Sequence, residues 1–220
     1  MDLFDVASLV AAPDPRLRLR KGTIVSVQGA TITVTVAGSA AEVAGVKYLS
    51  SLCPKAGAGV WLATDGLDLF ALGTLAPTGP AAVYCTKTAD GTMSDGTYER
   101  VNWNGTSYDT HGMWDTVNRS RIYARVPGIY LVQASICWAA NATGHRILLF
   151  RRNGATDFLT WDRRVAITGG VATVNNCALT LAMSTGDYIE AQCYQTSGAG
   201  LAVIADTRSN MQATWLRPPA

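Results

Sequence analysis

Residues 127–138 read PGIYLVQASICW and are the most informative segment of the sequence. Pro127 has a fixed φ angle and no amide proton, and Gly128 lets the chain turn, so the pair marks the start of a strand. The residues that follow are rich in β-branched and aromatic side chains. Both alternating sets of side chains are largely apolar, which predicts a central strand covered on both faces by sheet or by neighbouring subunits.

The composition of the whole chain also favours β structure. Its 220 residues include 21 glycines and only 15% charged residues, which is typical of short strands joined by tight turns. A net charge of +2 is too small for a clustered basic face, so no nucleic-acid partner is expected. No run approaches the roughly 18 apolar residues of a spanning helix, and no signal-peptide pattern is present, so no membrane insertion is expected.

The five cysteines are scattered along the chain and form no CxxC pair. An odd number cannot pair completely within one chain, and a cysteine in a strand commonly behaves as a small apolar residue. We therefore predict buried thiols in a protein that folds in a reducing compartment. The cysteines are Cys53, Cys85, Cys137, Cys177 and Cys193.

The N-terminal segment predicts a short amphipathic helix at residues 2–12. Its apolar residues follow the i, i+3, i+4, i+7 spacing of one helical face, and Asp2 is placed to cap it. The basic residues at 16–21 alternate with leucines, which indicates a half-exposed edge strand rather than a phosphate-binding patch. We assign residues 1–20 to the helix and a docking arm.

Residues 21–76 have the pattern of a small β-barrel. Five short strands are predicted at 23–27, 31–36, 42–46, 60–64 and 67–72, and Asp65-Gly66 predicts a two-residue hairpin turn. This spacing is typical of an OB-like barrel. Barrels of that kind often bind oligonucleotides through exposed aromatic and basic residues. We expect this barrel to lack that combination and to have a structural role.

Several short motifs in the barrel segment are distinctive. They are GTIVSV at 22–27, VKYL at 46–49, GVWL at 59–62 and LGTL at 72–75. Together they resemble the small barrel near the N-terminus of minor tail proteins from long-tailed phages, notably those of actinobacteria. The resemblance implies a virion protein, made in the cytoplasm of the host bacterium, that attaches to other phage tail proteins through its N-terminal helix and barrel.

A linker and a second β domain follow the barrel. The sequence APTGP at 76–80 interrupts both periodicities, and we place the linker at 77–82 and the second domain at 83–220. Eight to ten antiparallel strands in this domain predict a double-sheet jelly roll. Asn104-Gly105 and Asn153-Gly154 are predicted to form hairpin turns.

The second domain also carries an ordered series of motifs. They are PGIY at 127–130, RILL at 146–149, GDYIE at 186–190 and ATWL at 213–216. In this order they resemble the C1q and tumour-necrosis-factor family of trimeric jelly rolls. The resemblance implies a C1q-like head and a homotrimer, and the low charge of the chain favours assembly because assembly hides the surplus apolar surface.

The residues that acid-base or nucleophilic catalysis needs form no convincing group. Neither His111 nor His145 has a nucleophile motif beside it. The carboxylates of the head are too sparse to nominate the pair that a glycosidase uses, and the aspartates at Asp-Gly steps are explained by turn chemistry rather than by Ca²⁺ binding. We predict no catalytic residue, no cofactor and no metal ion, and therefore no enzyme.

Four aromatic residues admit both a core role and a ligand-binding role: Trp103, Trp138, Trp161 and Tyr194. Trp138 ends the buried strand and is predicted to be core. For Trp161 core packing is the simpler interpretation. If Trp161 is instead exposed, it lies beside Arg163 and Arg164, and an aromatic ring with arginines can hold a sugar or phosphate. These three residues are the candidate receptor contacts.

The sequence therefore predicts a structural component of a phage tail tip or fibre, whose trimeric head contacts a glycan or protein on the host surface. Three copies of a weak site raise the effective affinity by multivalency. The alternative is a secreted or surface C1q-like protein that binds or degrades glycans. A degrading enzyme needs acidic residues that converge in a cleft, which separates the two hypotheses.

Overall fold

The computed structural model describes residues 18–49, 52–64, 68–75 and 79–219, and every regular element in these ranges is a β-strand. The predicted helix at 2–12 and the Asp65-Gly66 turn lie outside them. The chain forms two compact units, and the second of them comprises Pro80–Leu216. No helix with the length and apolar character needed to cross a membrane occurs in the described ranges.

The first unit contains a closed five-stranded barrel. Its strands, in the order β1-β2-β3-β5-β4, close by pairing of β4 with β1. All pairs are antiparallel except β3 with β5. The strands are β1 (Arg18–Gln28), β2 (Thr31–Val36), β3 (Glu42–Tyr48), β4 (Gly59–Thr64) and β5 (Leu69–Thr74).

The barrel begins earlier than predicted, because β1 already starts at Arg18 rather than after residue 20. The side chains of Arg18 and Arg20 are exposed, but residues 18–23 of β1 pair with every residue of β4. This segment is therefore not an edge strand. The apolar side chains that alternate inward along the strands form the core. Its buried members are Ile24, Ile32, Val34, Val46, Leu52, Val60, Leu62 and Ala71.

The barrel surface differs from the prediction at one place. Trp61 is 38% exposed, and Nζ of Lys21 lies 5.4 Å from the centre of its ring. The two residues are cross-strand neighbours on β1 and β4. The expectation that the barrel lacks an exposed aromatic residue beside a basic one is therefore wrong, because outward positions on paired strands bring together residues that are far apart in sequence.

The second unit is a sandwich of two main sheets and a short strand pair. We call the sheet ordered β14-β11-β17-β6-β9 the first sheet, and the sheet ordered β10-β15-β12-β13, with β8 also paired to β15, the second sheet. Strands β7 and β16 pair separately. The strands are β6 (Ala82–Thr86), β7 (Gly91–Met93), β8 (Glu99–Arg100), β9 (Gly105–Asp109), β10 (Arg121–Tyr123), β11 (Gly128–Cys137), β12 (His145–Arg152), β13 (Thr160–Val165), β14 (Val174–Met183), β15 (Tyr188–Gln195), β16 (Leu201–Val203) and β17 (Asn210–Arg217).

The segment PGIYLVQASICW forms strand β11, which lies inside the first sheet between β14 and β17. Tyr130, Val132 and Ile136 are fully buried, and Trp138 directly after the strand is also fully buried, as predicted. Four side chains on the other face of β11 are only half-buried, namely Ile129, Leu131, Gln133 and Ser135. The strand is thus covered on its core face, and its other face forms part of the outer surface of the unit.

Two local predictions have different outcomes. Asn153 and Gly154 both have positive φ angles, 51° and 70°, as a type I′ turn requires. Asn104-Gly105 is not a turn, because Asn104 donates its amide proton to Thr86 O and Gly105 already belongs to β9. All five cysteines are buried thiols, as predicted.

Candidate functional site

Strand β13 forms one end of the second sheet and carries all three candidate receptor contacts. It pairs only with β12, so its other edge makes no sheet pairing within the described residues. Trp161 is 50% exposed, and its ring centre lies 6.0 Å from that of Phe158. The interpretation of Trp161 as a core residue is therefore wrong.

The structure separates the two candidate arginines. Side chains two residues apart on a strand share a face, so Arg163 lies on the face of Trp161 and Arg164 on the opposite one. The Nε atom of Arg164 donates to Oδ2 of Asp162 at 2.9 Å. Trp161 and Arg163 are thus brought together on the outer face, whereas Arg164 is engaged by its neighbour.

Cross-strand pairing extends this outer face over β12 and β15. Arg163 is opposite Ile147, and Ile147 is opposite Tyr194 on β15. Tyr194 stacks on His145 with ring centres 5.7 Å apart and lies 4.6 Å from the ring centre of Tyr98. We call this surface the aromatic-arginine face and define it by Trp161, Arg163, Tyr194, His145 and Tyr98.

The surroundings of His145 lower its pKa and so favour the neutral imidazole. Burial lowers the pKa of His145, and the charges of Arg163 and Arg146 lower it further. Nδ1 of the imidazole lies 3.0 Å from Oγ1 of Thr196 and 3.4 Å from a terminal nitrogen of Arg163. The imidazole thus adds an uncharged ring, rather than a cation, to the aromatic-arginine face.

Two carboxylates of this unit, Asp162 and Asp187, are engaged in structural hydrogen bonds. Burial alone would raise the pKa of Asp162, but hydrogen bonds from the Asn176 amide, Arg164 and Asn175 outweigh it and lower the pKa. Asp187 shows the same balance and is held by Asn153, Arg152 and the Ser184 amide. A carboxyl group with a lowered pKa is poorly suited to act as a general acid at neutral pH.

The side chains that bind metal ions do not converge in the part of the chain that the structure describes. No group of three histidine, cysteine, aspartate or glutamate residues there is placed to hold an ion. His111 contacts Thr110, whose Oγ1 lies 2.9 Å from its Nδ1, and is far in sequence from Asp162 and Asp187. Among the described residues, His111 is thus not part of a group of three such side chains.

The outer surface of the first sheet has a different character, because none of the side chains that point outward from β6, β11, β14 and β17 is charged. We call it the uncharged face. Register supports the assignment, since Leu131 is opposite Thr180, and Nε2 of Gln212 donates to Oε1 of Gln133 at 2.8 Å. Its members are Ala82, Tyr84, Thr86, Ile129, Leu131, Gln133, Ser135, Val174, Asn176, Ala178, Thr180, Ala182, Asn210, Gln212, Thr214 and Leu216.

Comparison with solved structures identifies the architecture of the sandwich. The chain is similar to the Eiger TNF of S. frugiperda, with a TM-score of 0.50 and 14% identity over 64% of this chain and 96% of that one. Murine APRIL at pH 5.0 has a TM-score of 0.49 and 13% identity over 63% and 100%. The globular domain of zebrafish complement 1qA has a TM-score of 0.46 and 14% identity over 64% and 100%. The Eiger likeness shows that the sandwich has a TNF-like jelly-roll fold, which confirms the predicted jelly roll.

Two other comparisons gave no relatives. No protein-family model matches the chain, and no curated protein matches it.

Proposed function

We propose that this chain is a non-enzymatic structural protein of a long-tailed phage tail tip or fibre, located in the virion, whose trimeric C1q-like head contacts the host surface. In this proposal the N-terminal segment and an OB-like barrel attach the head to other tail proteins. The strand order β1-β2-β3-β5-β4 with a parallel β3–β5 pair supports the OB-like assignment. Exposed Trp61 and Phe70 supply apolar contacts for a neighbouring tail protein.

The observation that carries the proposal is the difference between the two outer faces of the sandwich. The uncharged face has half-buried apolar side chains such as Ile129 and Leu131 and no charge to desolvate on association. Such a face suits contact with identical copies, which supports a homotrimer. The aromatic-arginine face belongs to the other sheet and therefore stays available to a receptor when the uncharged face is covered.

Trp161 and Arg163 are the proposed centre of receptor contact. Tryptophan and arginine dominate the binding energy of many interfaces, because they combine a large apolar area with directed hydrogen bonds. Both residues are exposed on β13, and a glycan offers the flat sugar faces and hydroxyl groups that they recognise. Three copies in a trimer compensate for a weak individual site.

The alternative function is that of a secreted or surface C1q-like protein that binds or degrades glycans. The engagement of Asp162 and Asp187 in structural hydrogen bonds favours the non-enzymatic proposal. The two hypotheses make different predictions for sugar release and for the presence of the chain in virions.

The central experiment exposes the purified full chain to actinobacterial cells and their cell-wall polysaccharide, and it measures both binding and sugar release. We expect saturable binding without release. Release that disappears when one carboxylate is replaced would establish the degrading alternative. Absence of both binding and release would reduce the proposal to a tail component without a receptor.

The virion location has its own test. Antibodies against the full chain, applied to purified phage particles that carry its gene, are expected to label the tail tip or fibres in electron micrographs. Antibodies against an unrelated protein of similar mass are the control. Particles that contain none of the chain by mass spectrometry would refute the virion location.

A further inference from the structure

A cavity of about 630 Å³ in the sandwich unit is surrounded by arginine side chains that the proposed receptor site does not use. It lies beside β8, β10 and β15, and one of its two nearby carboxylates, Glu99, accepts a hydrogen bond from the Ser94 amide at 2.8 Å. Four arginines line the cavity and two carboxylates lie near it, so positive charge exceeds negative charge around it. The lining arginines are Arg100, Arg119, Arg121 and Arg151.

The second nearby carboxylate, Glu190, orients two of these arginines. Its Oε1 lies 3.1 Å from Nε of Arg100 and 2.9 Å from Nε of Arg121. The side chain is fully buried, and its Oε2 has no hydrogen-bond partner among the described residues. Because each contact uses Nε, the terminal nitrogens of Arg100 remain without a hydrogen bond in the described part of the chain and are free for a ligand.

Arg151 and Tyr98 also line the cavity. The guanidinium carbon of Arg151 lies 5.7 Å from the ring centre of Tyr98, and Nε of Arg151 is buried without a hydrogen-bond partner among the residues described. Tyr98 is 46% exposed and is supported from behind by Tyr194. An unused guanidinium donor therefore lies next to an exposed aromatic ring.

We propose that this cavity binds an anionic saccharide, that is, a sugar that carries a carboxylate or phosphate group. The proposal rests on the proposed function, since it names the chemical class of glycan that the head contacts. Guanidinium groups bind carboxylate and phosphate through paired hydrogen bonds, and Tyr98 offers a surface for the sugar ring. The volume lies within the range of about 300 to 1,000 Å³ that small-molecule sites occupy.

The neutral groups of the cavity favour a sugar over a simple inorganic anion. Gln192, Asn102 and the hydroxyl of Ser120 line it together with the arginines. Amide and hydroxyl groups can both donate and accept, as sugar hydroxyls do. The surplus of arginines disfavours a bound cation. A neutral sugar would bring no negative charge to pair with these arginines.

The test measures binding of the full chain to three oligosaccharides of equal length by biolayer interferometry: an oligogalacturonate, a phosphorylated oligomannose and neutral maltooligosaccharide. At least one anionic oligosaccharide is expected to bind about ten-fold or more tightly than the neutral one, and less tightly as salt increases. The anionic oligosaccharide that binds more tightly shows whether the cavity recognises a carboxylate or a phosphate.

Arg151→Gln removes one charge from the cavity and is expected to weaken anionic binding about ten-fold, as loss of a charge-assisted hydrogen bond does. Arg208→Gln removes the same charge from an exposed loop and is expected to leave binding unchanged. The proposal is overturned if neither anionic oligosaccharide binds more tightly than the neutral one, or if Arg151→Gln has no effect.

The outcome separates the cavity from the wider proposal. In one outcome the chain adheres to cells, but acidic oligosaccharides do not inhibit adhesion and Arg151→Gln does not weaken it. This outcome would remove the cavity proposal and keep the receptor-binding function. Binding of an acidic oligosaccharide through Arg151, without adhesion to cells, would keep the cavity proposal and remove receptor binding from the proposed function.

Discussion

The indole Nε1 of Trp138 donates a hydrogen bond to Oδ1 of Asn175 at 2.9 Å, in a position where both side chains are fully buried. The Nδ2 atom of Asn175 donates in turn to the backbone oxygen and to Oδ2 of Asp162, each at 3.0 Å. Asn175 belongs to the first sheet and Asp162 to the second. One buried amide therefore joins the two sheets of the sandwich.

Replacing this amide tests its role in stability. Asn175→Leu keeps a similar volume but leaves the indole of Trp138 without its acceptor and removes one of the donors to the Asp162 carboxylate. We therefore expect a loss of about 1 to 3 kcal/mol in the free energy of unfolding. Urea unfolding followed by tryptophan fluorescence measures it. Asn176→Ala changes the exposed neighbouring side chain and is expected to cost about 0.5 kcal/mol or less. Similar losses in both variants would contradict the prediction.

The same network predicts a dependence of stability on pH. The pKa of Asp162 is held below its ordinary value of 3.8, so the folded state favours the ionised carboxylate. Its contribution is complete above about pH 4 and is lost as the pH falls through the lowered pKa of the folded state. Asp162→Asn should therefore be less stable than the parent at pH 7, with a smaller difference at pH 3. An equal difference at both pH values in urea unfolding would contradict this.

A charge on the uncharged face is expected to break the proposed homotrimer. Thr180 is exposed on β14 opposite Leu131, and Thr180→Arg places a guanidinium where association would desolvate it. Light scattering should then give the chain mass of 23.3 kDa instead of three times that mass. Val165→Arg adds the same charge at a position 77% exposed on β13 and should leave the trimer intact. A parent protein that is itself monomeric would refute the trimer.

Removing the exposed indole of β13 tests receptor contact. Trp161→Ala is expected to weaken adhesion to host cells about ten-fold or more, because an exposed tryptophan at the centre of a contact contributes about 2 kcal/mol. Its thermal stability should change little, since half of the side chain is already in water. Val165→Ala truncates another exposed apolar residue of the same strand and is the matched control. Equal adhesion of both variants would exclude Trp161 from the contact.

Alanine substitutions at Gly144 and Gly198 distinguish the effect of a steric clash from that of backbone strain. Both have positive φ angles, 74° and 85°, so alanine at either position costs roughly 1 to 2 kcal/mol. A Cβ at Gly144 would lie 1.7 Å from the backbone oxygen of Thr196, whereas nothing lies within 4 Å at Gly198. Gly144→Ala should therefore lower the thermal midpoint clearly more than Gly198→Ala. Equal shifts would show that the backbone yields around Thr196.

The long strands could be predicted from the sequence, because their side-chain pattern is local. Strand β11 shows it in consecutive residues, and the burial of the cysteines is predictable on the same basis. The short strands β7, β8 and β16 have only two or three residues, too few for a period to appear. The sandwich unit therefore contains twelve strands in its described residues, rather than the eight to ten predicted.

The candidate site was only partly predictable, for a related reason. Trp161, Arg163 and Arg164 are neighbours in sequence, but strand alternation separates Arg164 from the other two. The arginines around Glu190 come from three distant segments that meet through the pairing of β15 with β8, β10 and β12. Such pairings depend on long-range register, which a single sequence does not specify.

The burial of the five thiols affects how readily they are oxidised during storage of the protein. Burial raises the pKa of Cys85 to about 12 and that of Cys177 to about 11, so the thiolate that reacts with oxidants is scarce at neutral pH. These two thiols are therefore expected to resist oxidation and cross-linking in an aerated solution while the chain stays folded. A reducing agent in the storage buffer should therefore do little to extend the shelf life of the protein.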